Sequence, residues 1–344
     1  MQNVSRKSGT ALSTTTFWLT ASVAALLSAA VIVKRKARAA ELANPPRGKF
    51  LEIDGVNLHY LDEGRGEPIV LLHGNGSMAH DFALSGVVDV LARHYRVIVF
   101  DRPGYGHSNR PRQHSWDPTA QADLLHQALS QLGVERPLVV GHSWGTMVAT
   151  ALAIGHPRSL RGLVLLSGYY YPTARLDVPL LSLPALPVLG TLLRYTLSPL
   201  ISRLLWPMIR LQLFRPSKVT DNFYRWPVWM TLRPAQLRAS AAETAMMIPA
   251  AWRLSQQYEQ LSMPVTVLAG DGDRIVSTNA QSVRLQRELQ HARLTIVPGA
   301  GHMVHHIAPQ AVIAAIDAAM QVENRELDIH QGPAELAPSG LSAR

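Results

Sequence analysis

The chain has 344 residues, of which 47% are hydrophobic and 17% are charged, a composition that can fill a core and excludes an intrinsically disordered protein. It contains no cysteine, which excludes disulfides, a thiolate nucleophile, and zinc–thiolate or iron–sulfur sites. The net charge of +9 is uneven: residues 1–47 hold seven basic and one acidic residue, and residues 170–255 hold ten and three. Because no Lys-rich run is interleaved with aromatic residues, we expect no nucleic-acid partner.

The first 47 residues are predicted to form a membrane anchor and a linker. The segment Thr10–Val33 carries no charge over 24 residues, whereas a bilayer core needs about 20 apolar residues and a signal peptide has about 7–15. Four basic residues follow within positions 34–38, and the positive-inside rule then places the rest of the chain in the cytoplasm. The alternative is a secretory signal cleaved after Ala37-Arg38-Ala39, which would release the protein outside the cytoplasm.

Short apolar segments alternate with helical patterns over residues 48–322, as is typical of a parallel sheet covered by helices on both faces. An antiparallel hairpin is predicted first, from Leu51 to Leu61 around the turn Asp54-Gly55. The parallel strands are predicted at Pro68–Leu72, Arg96–Phe100, Leu138–Val140, Gly162–Leu166, Val265–Ala269 and Arg293–Val297. The helices are predicted at Ala79–Ala92, Pro118–Leu132, Trp144–Gly155, Asn279–Leu289 and Pro309–Val322.

Residues 169–260 interrupt this alternation and are predicted to form a helical cap between two parts of the core, 48–168 and 261–322. The segment is rich in Pro, Leu and Arg, and its frequent prolines favour short helices. Its basic, apolar character has two interpretations: an ordinary lid with solvated arginines, or a lid at an anionic membrane surface that admits acyl chains. The tail, residues 323–344, is polar and is predicted to be loose.

A nucleophile is predicted at Ser143, within Gly141-His142-Ser143-Trp144-Gly145. The pattern G-x-S-x-G between a strand and a helix is typical of a nucleophile elbow, a strained turn that lifts the Ser oxygen above the sheet. A serine needs a base that is itself oriented by an acid. His302 follows the last strand and is the predicted base. Asp273 is the predicted acid, with Asp271 as its rival.

Acyl transfer also needs N–H donors for the developing oxyanion. We expect them to be the backbone N–H groups of Trp144, at the start of its helix, and of Asn75, in the glycine-rich loop His73-Gly74-Asn75-Gly76. His73 and His142 are expected to be buried structural residues, and Tyr169–Tyr171 to be packing residues, with a substrate-facing position as the alternative for one of the tyrosines. The run from His302 to His306 lacks a carboxylate partner motif, so we expect no metal there.

Together these motifs, with Asp101–Ser108, resemble those of the α/β-hydrolase superfamily, in the branch with a helical cap after the sixth strand. The resemblance covers residues 50–322 and implies an α/β-hydrolase fold with a Ser143–Asp273–His302 triad and no cofactor. Asn75 and Trp144 are also similar to the halide-holding residues of haloalkane dehalogenases. The chain departs from those enzymes, however, because Ser143 stands where they carry Asp, and a serine attacking carbon would form a stable ether.

The expected activity is therefore serine hydrolysis of a small-molecule carboxylic ester with an apolar acyl part, by a protein held at the membrane. Two alternatives use the same triad: a perhydrolase similar to non-haem haloperoxidases, and a hydrolase of carbon–carbon bonds. A third is a non-catalytic scaffold that binds a lipid or partner under its cap.

Overall fold

Eight apolar segments pair into one sheet in the computed structural model, which describes residues 14–330 and their side chains as far as residue 321. The strands are β1 Lys49–Ile53, β2 Val56–Glu63, β3 Pro68–Leu72, β4 Arg96–Phe100, β5 Leu138–His142, β6 Gly162–Leu166, β7 Val265–Gly270 and β8 Arg293–Val297. The helices of the described part are α1 Thr14–Ala43, α2 His80–Ser85, α3 Val87–Leu91, α4 Pro118–Gln131, α5 Trp144–Gly155, α6 Val178–Ser182, α7 Val188–Tyr195, α8 Leu197–Phe214, α9 Val228–Thr231, α10 Pro234–Ser255, α11 Arg284–Glu288, α12 Val304–Ile307 and α13 Pro309–His330. The predicted hairpin and all six predicted parallel strands are confirmed.

The strand order is β1-β2-β4-β3-β5-β6-β7-β8. The β1–β2 and β2–β4 pairs are antiparallel, and the remaining pairs are parallel. The carboxyl ends of parallel strands meet at one edge of a sheet, where ligands bind in open α/β folds. The loops after β3, β5, β7 and β8 therefore converge at that edge.

Alternate residues of the central strands, β3 to β7, fill the layers on the two faces of the sheet. In β3, Ile69 and Leu71 pack with α2, α3 and α13, whereas Val70 and Leu72 pack with α4 and α5. Burial on both faces explains why these strands are continuously apolar rather than alternating, and each buried aliphatic side chain contributes about 1.5–3 kcal/mol.

Three predicted helices differ from the structure; one of them, Asn279–Leu289, begins as a π-helix over Asn279–Val283 and continues as α11. The segment predicted as one helix, 79–92, is divided into α2 and α3 at Gly86, whose positive φ of 79° is a conformation that glycine adopts readily and that ends a helix. The last helix continues past Val322 to His330, because residues 323–330 are polar but contain neither Gly nor Pro. The rest of the predicted tail, residues 331–344, lies outside the described residues.

The cap is present where it is predicted, between β6 and β7, and consists of α6–α10. Its longest helix, α10, packs against α5 of the core and against α6 and α7 of the cap. The cap is thus layered, with α10 between the core and the outer helices.

The N-terminal helix α1 is long and apolar enough to cross a membrane. Its most apolar 18 residues have a mean hydropathy of 2.0 and are almost entirely exposed. A signal sequence near the N-terminus can have the same length and hydropathy. Residues 10–13 of the predicted uncharged run lie outside the described part. The C-terminal half of α1 contacts the cap, where Ala40 is buried and Glu41 pairs with Arg233 at 3.3 Å.

Candidate active site

Ser143 lies at the sharp turn between β5 and α5. Its backbone has φ 52° and ψ −118°, a strained conformation for a residue other than glycine, and its N–H donates to the carbonyl of Leu166 at 2.9 Å. The turn needs a small residue two positions later, because a Cβ on Gly145 would lie 2.2 Å from the carbonyl oxygen of Leu72. The local geometry is that of a nucleophile elbow.

His302 and Asp273 are brought together at the same edge of the sheet. The Nδ1 of His302 lies 2.8 Å from Oδ2 of Asp273, and both side chains are buried. The other carboxylate oxygen, Oδ1, accepts from the N–H groups of Ile275 and Val276 at 2.8 and 3.0 Å, which fixes the carboxylate. A carboxylate accepts hydrogen bonds, so this contact favours the His302 tautomer that carries its proton on Nδ1.

Asp271, the rival acid, lies elsewhere. Its Oδ1 accepts from the N–H of Gly299 at 2.7 Å, which closes a turn between the β7 and β8 loops. The geometry therefore pairs His302 with Asp273 and gives Asp271 a turn-stabilising contact.

Ser143 and His302 line the same pocket. Within residues 14–321, Ser143 Oγ makes no hydrogen bond. A hydrogen bond between Ser143 Oγ and His302 Nε2 is therefore part of the proposed mechanism and not of the structure. Such contacts are commonly longer before substrate binds.

The two predicted oxyanion donors also line this pocket. Trp144 is the first residue of α5, and the first N–H groups of a helix have no partner within it. Asn75 follows β3 in the next loop of the same edge. Its side chain is held by its neighbours: Oδ1 lies 3.0 Å from the hydroxyl oxygen of Tyr105, and Nδ2 donates to the Ser240 carbonyl and to Thr244 Oγ1. The Asn75 side chain is consequently not available to hold a halide.

A buried ion pair ties the cap to the Asn75 loop, and sequence reasoning missed it. Glu243 of α10 binds the guanidinium of Arg102 through both oxygens, at 2.5 and 3.1 Å, and neither side chain is exposed. The carboxylate also accepts from Tyr105 at 2.6 Å and from Gln121 at 3.0 Å. Arg102 in turn donates to the carbonyl of His73 at 2.8 Å. The partners are 141 residues apart, so no local pattern reveals the pair.

The two predicted structural histidines, His73 and His142, are both buried. Burial lowers the pKa of His73 to about 4, and its ring accepts the N–H of Arg102 at Nε2 while Nδ1 donates to the Gly74 carbonyl. Burial, with the nearby His305, also holds the pKa of His142 well below its usual value. The Nε2 of His142 lies 3.1 Å from the carbonyl oxygen of His302. The two neutral rings thus support the loops that carry Asn75 and His302.

A second buried cluster lies next to His302 and centres on Asp81, which carries no sequence signal. Its carboxylate accepts from His306 Nε2 and from Ser77 Oγ, both at 2.8 Å. Burial opposes ionisation, but His305 and His306 hold the pKa of Asp81 well below its usual value. Asp81, His142 and His305 form a group that could hold a metal ion, with ligand atoms within 4.8 Å of one another. His306 and Ser77 already provide a hydrogen-bond partner for each oxygen of the Asp81 carboxylate.

The pocket above Ser143 has a volume of about 370 Å³ and is mainly apolar. Its apolar walls come from the cap and from the loops of the carboxyl edge: Leu181, Trp206, Ile209, Leu213, Phe223, Trp226, Leu232, Leu237, Met247, Ile275, Val276 and Met303. Its arginine, Arg175, is paired with Asp177 at 2.7 Å. The space suits an uncharged, apolar group.

Three comparisons place the chain among known proteins. It is 26% identical over 281 residues to haloalkane dehalogenase 2 of Mycobacterium tuberculosis (strain ATCC 25618 / H37Rv), covering 79% of this chain and 94% of that protein. It is 27% identical over 257 residues to 2-hydroxy-6-oxononadienedioate/2-hydroxy-6-oxononatrienedioate hydrolase 2 of Pseudomonas putida, covering 73% and 86%. A crystal structure of a bacterial membrane phospholipase A matches with a TM-score of 0.62 at 21% identity, over 89% of this chain and 96% of that one. Residues 69–315 match the family model for alpha/beta hydrolases, and the chain therefore belongs to the alpha/beta hydrolase family.

Proposed function

We propose that the protein is a membrane-bound serine hydrolase that cleaves a carboxylic ester with an apolar acyl part. The observation that carries the proposal is the buried hydrogen bond between His302 and Asp273, at the pocket edge where the strained Ser143 also lies. The apolar lining of the pocket supports the substrate class, and one protein of the same fold is described as a membrane phospholipase A.

In the proposed mechanism, Ser143 Oγ attacks the ester carbonyl while His302 Nε2 takes the hydroxyl proton. Asp273 keeps the other ring nitrogen protonated and stabilises the imidazolium that forms. The N–H groups of Asn75 and Trp144 bind the oxyanion. When the C–O bond breaks, His302 protonates the departing alcohol, and a water activated by the same ring then releases the acid from the acyl-enzyme.

Ser143 argues against the activity named for the mycobacterial relative. Dehalogenation needs a carboxylate whose ester with the carbon can be cleaved by water, whereas a serine would leave an ether. Carbon–carbon bond hydrolysis remains the second candidate, because the Pseudomonas putida relative is named as a hydrolase of hydroxy-oxo-dioates. Such substrates carry two carboxylates, and the pocket arginine Arg175 is already paired. We therefore favour an uncharged ester over a dianionic substrate.

We also propose that α1 is retained as the anchor, with the catalytic domain in the cytoplasm. Ala29 and Val33 belong to the uncharged stretch and are nevertheless buried against the protein, which supports a helix that stays part of the fold. A reporter fused after residue 344 should be active on the cytoplasmic side only, and activity outside the cytoplasm would reject this topology.

The experiment that tests the activity compares the full chain with Ser143→Ala on p-nitrophenyl esters from acetate to palmitate, in detergent. Wild type should hydrolyse them and react with a fluorophosphonate probe, and the alanine variant should do neither. A folded wild-type protein that does not react with the probe would favour a non-catalytic scaffold.

The matched pair Asp273→Asn and Asp271→Asn separates the two candidate acids. Asp273→Asn places an amide where His302 Nδ1–H needs an acceptor, so we expect kcat to fall by about 10⁴-fold, as when the acid of such a triad is neutralised. Asp271→Asn keeps an acceptor for the Gly299 N–H and should keep nearly full activity. The opposite order of effects would assign the acid to Asp271.

A further inference from the structure

The outer helices of the cap expose an unusual amount of apolar surface. Of the 26 large hydrophobic side chains exposed within residues 14–321, 22 belong to α1 or to residues 176–211. Those of the second group are each at least 41% exposed. We call the following set the outer cap face: Leu176, Leu180, Leu181, Leu186, Val188, Leu189, Leu192, Tyr195, Leu197, Ile201, Leu204, Leu205, Met208 and Leu211. A patch of this size on a soluble surface marks a contact with a membrane or a partner.

The charge of this segment favours a lipid surface. Residues 176–211 contain three basic residues and one acidic residue, Asp177, which is paired with Arg175 at 2.7 Å. Two of the basic groups are held close to the protein: Arg194 donates to the Pro184 carbonyl and to Thr191, and Arg210 lies over the ring of Tyr224 at 4.1 Å. An apolar face flanked by cations, whose one carboxylate is paired, is complementary to a bilayer that contains anionic lipids.

The anchor places this face at the membrane. α1 contacts α7, α8 and α9, and its buried residues include Ala29 and Val33, which precede the basic cluster beginning at Lys34. At 1.5 Å per residue, Ala29 lies about 7 Å deeper along the helix than Lys34. If Lys34 marks the bilayer surface, the protein in contact with Ala29 reaches that depth, which is the depth at which amphipathic helices embed.

The bend between the first outer helices agrees with surface embedding rather than spanning. Val178–Ala185 and Val188–Tyr195 are together apolar enough for a membrane segment, but they meet at 92°. A bent pair of short helices can lie within the interface while the rest of the cap keeps its contacts with α10.

The same helices lead to the nucleophile. Leu181 of α6 and Ser202, Trp206 and Ile209 of α8 line the pocket that contains Ser143. We propose that the outer cap face is embedded in the bilayer beside α1, and that the ester enters the pocket from the membrane between α6 and α8. The substrate is then a membrane-resident acyl lipid. This inference rests on the proposed ester hydrolysis for its substrate, but the membrane surface itself does not depend on catalysis.

Fluorescence quenching tests the surface without catalysis. Because the chain has no cysteine, single probes can be attached in the full-length Ser143→Ala protein at Leu189→Cys, Leu204→Cys and, as a control at the opposite edge of the sheet, Glu135→Cys. In vesicles of phosphatidylethanolamine and phosphatidylglycerol, doxyl-labelled lipids should quench the first two probes strongly and the third weakly. Equal quenching at all three positions would overturn the proposal and leave the face to a protein partner.

Activity tests the route. Leu204 is 79% exposed and does not line the pocket, so Leu204→Glu should keep wild-type hydrolysis of p-nitrophenyl butyrate. On a long-chain fluorogenic ester dissolved in the vesicles, we expect a loss of about tenfold, since a carboxylate is costly in an anionic interface. Ile296→Glu on β8 is the matched control and should lose neither activity.

The outcomes separate the two proposals. Unchanged vesicle activity in Leu204→Glu would overturn the entry route while ester hydrolysis stands. A wild-type protein that hydrolyses neither ester would reject the proposed function, and the quenching result would still decide whether the outer cap face is embedded.

Discussion

Removing the charge of Glu243 tests whether the buried pair with Arg102 holds the cap on the core. The change Glu243→Gln keeps the size of the side chain but leaves a guanidinium with no exposed surface beside a neutral amide. It also weakens two charge-assisted hydrogen bonds, of 2.5 and 3.1 Å. Each is worth about 1.5–3 kcal/mol, and breaking a buried pair by removing one partner typically costs about 3–5 kcal/mol. We therefore expect the free energy of unfolding to fall by about 3–5 kcal/mol.

The assay is urea unfolding of the full chain in detergent, followed by tryptophan fluorescence, together with thermal melting. For a domain of this size the expected loss lowers Tm by about 6–20 °C. The matched control is Glu288→Gln, the same change in the exposed pair with Arg284, whose N···O distance is 2.8 Å; the amide oxygen can still accept the hydrogen bond that Tyr171 donates to Glu288 at 2.7 Å. Exposed pairs contribute about 0–1 kcal/mol.

Equal losses in Glu243→Gln and Glu288→Gln would refute the reasoning. They would mean that the Arg102 charge is satisfied by the carbonyls of His73 and Gly74 and by Gln121, without the carboxylate. A loss confined to Glu243→Gln should be accompanied by a lower kcat, because Arg102 orients the carbonyls next to Asn75.

Two further predictions concern stability. His73 has a pKa of about 4 in the folded state against about 6.5 in the unfolded chain. Between these two pH values the unfolded chain binds more protons, so the free energy of unfolding falls as the pH falls, by about 3 kcal/mol in all. His73→Gln should reduce this slope in urea titrations, and an unchanged slope would contradict the assignment of the low pKa to His73. Gly145→Ala would place a methyl 2.2 Å from the Leu72 carbonyl oxygen, so it should unfold the domain or lower its Tm severely. The methyl of Gly155→Ala, in the same helix, would meet nothing within 4 Å, so this variant should be neutral or raise stability by about 0.4–1 kcal/mol. Similar melting of the two variants would show that the turn at Ser143 is not close-packed.

Most of the sheet and the arrangement around the nucleophile follow from local sequence. Strands buried on both faces are continuously apolar, which is a pattern visible within five residues, as in β4 and β6. The elbow is equally local, because the close approach that requires Gly145 arises two residues from Ser143. His302 and Asp273 are distant in sequence, but each follows a predicted strand, and parallel strands deliver such residues to one edge.

What the sequence does not reveal depends on contacts between distant segments. Glu243 lies in a helix of the cap with no neighbouring motif, and only the docked cap makes it the partner of Arg102. Asp81 is likewise an ordinary helix residue until α12 brings His306 to it. Asn75 shows the same limit in another way: it lines the pocket as the motif predicts, but only the structure shows that its side chain contacts Tyr105 and Thr244 and so joins the loop to the cap.

These contacts divide the cap into two parts with different roles. Helix α10 is fixed to the core through Glu243 and through the bonds from Asn75, so lifting it would expose a buried ion pair and would disturb the loop that carries Asn75. Helices α6 and α7 lie on α10, and α8 packs on α7. Together α6–α8 carry the outer cap face and contribute one wall of the pocket. A substrate therefore does not need α10 to move in order to reach Ser143; it needs only a path between the outer helices. Because α7 and α8 also contact α1, access to Ser143 and attachment to the bilayer are, in the proposed arrangement, properties of the same layer of the cap.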